Sequence, residues 1–175
     1  MSLLRWSPIV VLILSACATP GAIERQPVGK PLGSYASAAL LMAAADPSAT
    51  NAAQRVSDCR QAFEVALNAA GVFPSILSEE QQAQGALLLK SSLVDQTNEV
   101  LGIKEKAKKI EVTVDFIDTA DQNTVGSVMV LGNSEQGGRT TVSVGGVDVE
   151  SEPEAYRRAC QLAAEQLSDY VKAKK

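Results

Sequence analysis

The chain carries three cysteines, no histidine and twenty acidic residues. Those counts set the chemistry open to it. Lacking histidine, it has no usual general base near neutral pH and lacks the commonest metal ligand. A Ser-His-Asp triad is therefore impossible. No carboxylates form a recognisable acid–base pair: Asp115 and Asp118 fall on opposite sides of one strand pattern, and Glu79-Glu80 lies in a polar stretch with Gln81-Gln82. Neither Gly137-Gly138 nor Gly145-Gly146 fits a phosphate-binding glycine motif. No catalytic, cofactor-binding or metal-binding residue is expected, and no cofactor. The reactive residues that remain are the cysteines. Cys59 and Cys160 each fall on the apolar stripe of an amphipathic segment. Two readings are open, a disulfide between neighbouring helices or two separate thiols packed as small hydrophobes. The C-x-x-C pair of a redox enzyme is absent.

The third cysteine, Cys17, has a different setting. Arg5 precedes an apolar run, Pro8-Ile9-Val10-Val11-Leu12-Ile13-Leu14, which ends in the small residues Ser15-Ala16 and then Cys17. A charged start, an apolar centre and small residues at a cut site make a secretory signal. The run is too short for a transmembrane helix, which takes about 20 apolar residues, and Thr19-Pro20-Gly21 breaks it. Leu14-Ser15-Ala16-Cys17 resembles the bacterial lipobox. That resemblance implies removal of residues 1–16 as a signal peptide and acylation of Cys17 as the new N-terminus. In lipoproteins an aspartate after the cysteine tends to retain the protein in the inner membrane. Ala18 in that place implies the outer membrane, on its periplasmic face. Several acyl chains, at about 0.8 kcal/mol per buried CH₂, hold a protein firmly where one holds it marginally.

The segment after Cys17 holds three prolines and three glycines within residues 18–33. Such a composition disfavours helix and central strand, so residues 17–33 read as an acylated, flexible tether. Residues 34–175 are then one domain. Hydrophobic residues at 46% suffice for a core, and aromatics at 4% make that core Ala, Val and Leu. A net charge of −4 argues against nucleic acid, whose binding depends on Lys and Arg neutralising phosphates.

Two helices stand out within that domain. Over 51–70, Ala52, Val56, Cys59, Phe63, Ala66, Leu67 and Ala70 recur at helical spacing, with Asn51 and Gln54 as a capping box and Gly71 as the stop. Over 152–173, Tyr156, Cys160, Ala163, Leu167 and either Tyr170 or Val171 form the stripe, with Pro153 in the first turn and closing lysines that suit the helix dipole. Strands are expected at 86–95, 109–118 and 124–132. In the second, Ile110, Val112, Val114 and Phe116 alternate with Glu111, Thr113 and Asp115, which gives one dry and one wet sheet face. Val125, Met129 and Leu131 share one face of the third. Residues 34–45 are alanine-rich, which favours helix. Yet the segment is short and precedes Asp46-Pro47, so it is read as a fourth strand with helix as the open alternative. Residues 140–150 read as a small hairpin or a glycine loop. The lysine-rich run 104–109 reads as a solvated loop, with a contact patch for anionic lipid or lipopolysaccharide as the alternative.

The expected architecture is α+β, a two-layer sandwich of one mostly antiparallel sheet of about four strands with two helices on one face. The layout consists of a lipobox, a first strand after Ser34-Tyr35, a helix ending Ala66-Leu67-Asn68-Ala69-Ala70-Gly71-Val72-Phe73, the alternating strand Val112–Asp118 and a last helix. It is similar to small envelope lipoproteins of unknown function related in layout to the curli-secretion lipoprotein CsgG and the N-terminal domain of TolB. The lipopolysaccharide-assembly lipoprotein LptE has a comparable sandwich. No residue role carries over from the resemblance. An anchored compact domain with free sheet edges and no reactive site is itself expected to be a non-enzymatic outer-membrane lipoprotein that helps assemble or position another envelope component. The wet face (Glu111, Thr113, Asp115) and the 134–150 segment are its candidate partner surfaces. A module that binds a small molecule, lipid or glycan is the alternative. The sequence leaves the oligomeric state open.

Overall fold

A computed structural model describes residues 21–49, 51–77, 81, 86–96, 99–100, 103–104, 108–134, 142–143, 146–147 and 152–175. The signal segment, Cys17, residues 105–107 of the lysine-rich run and most of the 134–150 stretch lie outside them.

The main sheet has six strands: β1 (Ile23–Gln26), β2 (Ala38–Ala44), β3 (Ile76–Leu77), β4 (Leu87–Asp95), β7 (Lys109–Asp118) and β8 (Asn123–Asn133), in spatial order β1-β8-β7-β4-β2-β3. The helices are α1 (Ala52–Ala70) and α2 (Glu152–Ala173). Two small ladders stand apart. One is β5 (Glu99–Val100) with β6 (Ile103–Lys104), and the other is β9 (Val142–Ser143) with β10 (Gly146–Val147). The second ladder answers to the expected hairpin.

The strands at 86–95, 109–118 and 124–132 and both helices fall where the sequence periodicity puts them, and residues 38–44 are strand. Two expectations about the sheet need correction. It has six strands rather than four, and it is mixed rather than mostly antiparallel. β1–β8, β8–β7 and β7–β4 are antiparallel, while β4–β2 and β2–β3 are parallel. The parallel pairs follow from α1, which intervenes between β2 and the strands after it. A strand that returns through a helix lies parallel to the one it left. β3 is two residues long, too short to show an alternation.

The larger correction concerns 17–33. Far from being tether throughout, Ile23–Gln26 pair with β8, with Ile23 opposite Met129. The strap after them is held by its own backbone. The Gly29 N–H donates to Val125 O at 3.0 Å, and the Leu32 N–H donates to Lys174 O at 2.9 Å. Leu32 sits in a short 3-10 turn, Leu32–Ser34, and is fully buried in the core. Pro27 and Pro31 cost little here. β1 is an edge strand, and its neighbours on the chain need no ladder hydrogen bond. The strap thus crosses the end of the sandwich from β8 to β2.

Alternation divides the sheet faces. Ala38, Leu40, Leu89, Ile110, Val112, Val114, Phe116, Val128 and Val130 are buried on the helix side. Phe63 and Leu67 of α1 and Ala163 and Leu167 of α2 meet them in one cluster. Burying such a side chain contributes about 1.5–3 kcal/mol each. Met129 and Leu131 share a face, the outer one, but Val125 does not join them. It sits at the bulge between the pairings of Thr124 and Gly126 and packs against the core, while Gly126, Val128, Val130 and Gly132 face the helices. A Cβ on Gly132 would overlap the Ala159 carbonyl, so α2 lies backbone to backbone on β8. The Gln166 amide closes that contact, donating to Leu131 O at 2.7 Å and accepting from the Leu131 N–H at 3.2 Å.

The helix caps divide similarly. Gly71 ends α1 in the left-handed region (φ 61), as expected for a C-cap. The Asn51–Gln54 capping box does not form. Asn51 itself is left-handed, makes no side-chain cap, and Gln54 donates to Asp58 at 2.9 Å instead. A capping box needs an extended N-cap residue, and the tight Asp46–Ala49 turn, closed by Asp46 on Ser48, sets a different entry.

Candidate functional surfaces

Cys59 and Cys160 form a disulfide with Cα atoms 5.0 Å apart. α1 carries one and α2 the other, and helical spacing turns both sulfurs into the helix–helix seam, where both residues are fully buried. The bond thus joins the two halves of the helix layer beneath the surface. Cys17 lies outside the described residues.

The structure separates the acidic residues. On the outer face, Asp115 accepts from Ser127 Oγ at 2.6 Å, and Glu111 accepts from Gln96 Nε2 at 2.7 Å and pairs with Arg25 at 3.5 Å. Asp118 ends its strand elsewhere, accepting from the Ala120 N–H, Tyr35 OH (3.1 Å) and Lys30 Nζ (3.3 Å). Those donors, the Ala120 N–H foremost, hold its carboxyl below the usual carboxylate range. Burial pushes the Tyr35 phenol up, with the Asp118 carboxylate adding to it. Lys30 also sits 4.4 Å over the Tyr35 ring. Each partner is satisfied by the others, and the cluster clips the strap to the β7–β8 turn. Tyr170 OH and Lys174 on Glu24 (2.8 and 2.6 Å) do the same for β1, and they lower the Glu24 carboxyl pKa, Lys174 most.

At the other end of the sandwich, Arg55 of α1 pairs with Asp95 of β4 at 2.6 Å and lies 5.2 Å over the Tyr156 ring of α2. Burial raises the Tyr156 pKa far above its ordinary value. Beside them is a cavity of about 290 Å³ lined by Ala44, Ala52, Leu93, Val94 and Tyr156. A wider groove of about 600 Å³ runs between the helices over Ala62, Val65 and Ala164, with Val65 65% exposed. Among the described residues no group of three His, Cys, Asp or Glu is placed to hold a metal ion. No described helix is long and apolar enough to cross a membrane.

The expected wet face, Glu111, Thr113 and Asp115, is where alternation places it and is half-buried. Arg25 and Ile23 of β1 extend it, with Arg25 3.5 Å from Glu111 and also reaching Met129 Sδ. Sequence reasoning missed these residues, together with Lys30, Leu32 and Tyr35. The one signal for them was Ile23-Glu24-Arg25-Gln26, an apolar–polar start between prolines that is too short to stand out. The expected 134–150 surface lies almost entirely outside the described residues.

No protein-family model and no curated protein matches the chain. Solved structures do. One is the PelC dodecamer from Paraburkholderia phytofirmans, 13% identical, with a TM-score of 0.52 over 84% of this chain and 97% of that one. Another is protein XCC0632 from Xanthomonas campestris, of the DUF330 family, 12% identical, with a TM-score of 0.54 over 86% of this chain and 88% of that one. At these identities the likeness is one of fold. It carries no residue role across, and neither does the layout resemblance to CsgG, TolB and LptE.

Proposed function

We propose that the chain is a non-enzymatic lipoprotein of the bacterial envelope, acylated at Cys17 and anchored to the periplasmic face of the outer membrane. Its domain acts as an assembly or accessory factor for an envelope complex. The observation that carries this reading is the lipobox-like Leu14-Ser15-Ala16-Cys17 placed ahead of a folded α+β domain whose two described helices pack on one sheet face. The other face, Arg25, Glu111, Thr113, Asp115 and Met129, mixes charge with half-buried apolar surface, and β1 is an edge strand. This mixed face, rather than the β1 edge itself, is the surface offered to a protein partner. The dodecameric state of PelC supports self-association as the first partner to test.

The test has two parts. Cys17→Ser is compared with the unaltered chain by membrane fractionation, where loss of the variant from the outer membrane is expected and unchanged partition sinks the anchor. A photo-crosslinker at Thr113 in intact envelopes is then expected to trap a protein, either a second copy or another chain. Crosslinks confined to lipid would contradict the assembly role.

One observation favours a second reading, a module for a small molecule, lipid or glycan. The cavity of about 290 Å³ lies between sheet and helices, with Tyr156 in its wall. Native mass spectrometry of the purified mature chain distinguishes this reading by a bound mass that Tyr156→Ala removes.

A further inference from the structure

The anchor in this account is short. Among the described residues, Ala22 is the first to pack against the core, and Ile23 pairs with Met129. From Cys17 to Ile23 a fully extended chain spans at most about 20 Å, at 3.3–3.6 Å per residue. The strap beyond Ile23 adds no reach, because Glu24, Gly29, Lys30 and Leu32 are all bonded to the sheet or to the end of α2.

Among the described residues, few places lie within that distance. Ile23 is 44% exposed on the edge strand. Near it, the end of β8 at Asn133 lies about 14 Å along the strand, at about 3.4 Å per residue. The opposite end, the β7–β8 turn at Ala120, is more than about 20 Å away on the same rise, which uses the entire reach and leaves none to enter a bilayer. The far sheet edge, β3, is five strand spacings across, about 24 Å at roughly 4.8 Å each. β1 also runs from the Asn133 end toward the β7–β8 turn, so the chain ahead of it joins at the near end. The Gln166 amide already occupies the β8 edge at Leu131. Gly21 and Ala22, the described residues ahead of Ile23, thus do not extend β1 along β8.

We infer that the acylated chain docks the corner formed by β1 and the C-terminal end of β8 against the lipid surface. The β7–β8 turn, with its Lys30–Tyr35–Asp118 clip, and the β3 edge then point away from the membrane. The domain is not lifted on a tether. This inference rests on the proposed acylation of Cys17. It adds an orientation, in which the membrane shields the β1 edge and leaves the far side of the sandwich for a protein partner.

The experiment uses the acylated full chain, purified from membranes and reconstituted in phosphatidylethanolamine–phosphatidylglycerol vesicles that carry a headgroup quencher. A fluorophore is placed at Ile23→Cys or at Ala120→Cys, with the native disulfide left intact. Loss of fluorescence is expected at position 23, with position 120 unaffected. A flexible Gly-Ser insertion of about twelve residues between Thr19 and Pro20 adds an r.m.s. span of roughly 20 Å, and it is expected to restore the fluorescence at position 23. Equal quenching at both positions, or quenching at 23 that survives the insertion, overturns the orientation while acylation stands. An intact mass without acyl chains, in a chain that does not float with vesicles, refutes the anchor itself, and the orientation falls with it.

Discussion

At Gly132 the backbone of β8 lies against the Ala159 carbonyl of α2; at Gly126 the same inner face of the same strand lies against Val28 of the strap. The two contacts do similar work by different means. α2 brings a long apolar stripe with Ala163 and Leu167, a disulfide to α1, and the Gln166 clamp. The strap brings one fully buried residue, Leu32, and holds itself with backbone hydrogen bonds and the exposed pairs around Asp118 and Glu24. The difference teaches that a segment can belong to a fold without an amphipathic period, provided its polar backbone finds partners and one side chain fills the core.

The largest effect is expected on the helix side. Replacing both Cys59 and Cys160 by serine removes a cross-link between residues 101 apart. In the chain-entropy account that costs about 4 kcal/mol, read as a lower urea midpoint. An unchanged midpoint would show that apolar packing alone holds α1 to α2. On the strap side, Leu32→Ala should cost about 3 kcal/mol, the usual range for emptying a core leucine site. A cost near zero would return the strap to the status of a tether.

Much of this molecule is legible from residues alone, and the exceptions have physical reasons. Ile110, Val112, Val114 and Phe116 announce their strand because one buried face and one wet face impose a period of two. Cys160, Ala163 and Leu167 announce their helix in the same way. The disulfide was one of two open readings, since the sequence gives the helix faces but not their adjacency. The parallel pairing of β2 with β4 is a matter of topology, and no local pattern encodes it. Ile23–Gln26 was hidden by its proline and glycine neighbours. Those residues mark a flexible segment when exposed, yet they suit an edge strand and a tight strap equally well. The Asn51–Gln54 pairing had the right residues at the right spacing, and backbone geometry overrode it. Of the candidate surface, Glu111, Thr113 and Asp115 were readable from alternation, while Arg25, whose partner Glu111 is distant in sequence, was not.

The glycines sharpen the comparison further. Gly132→Ala sets a Cβ against a helix backbone that cannot yield without moving α2, and overpacking of this kind costs about 3 kcal/mol. Gly126→Ala meets the Val28 side chain at 2.7 Å and its Cα at 3.0 Å, so the strap backbone, but no helix, has to shift, and a smaller cost of about 2 kcal/mol is expected. Equal costs from thermal melts would mean that strap and helix are equally rigid on β8. The smallest effect concerns acid. The Asp118 carboxyl is held below its ordinary 3.8 in the folded chain, so its contribution is present above that value and is lost as pH falls through the lower, folded one. Acidification below about 4 should loosen the strap clip, and Asp118→Asn should abolish that step. A strap that is indifferent to both would place the clip among surface contacts of no consequence.

The claim on which the rest depends is that the chain from Ala22 to Tyr35 is part of the domain, so that an anchor at Cys17 is short. Hydrogen exchange at two amides tests it most directly: Gly29, which donates to Val125, and Leu32, which donates to Lys174. Protection at both comparable with that of the β8 amides is the result this account requires. Exchange at the rate of an unstructured peptide, with β8 still protected, would contradict it.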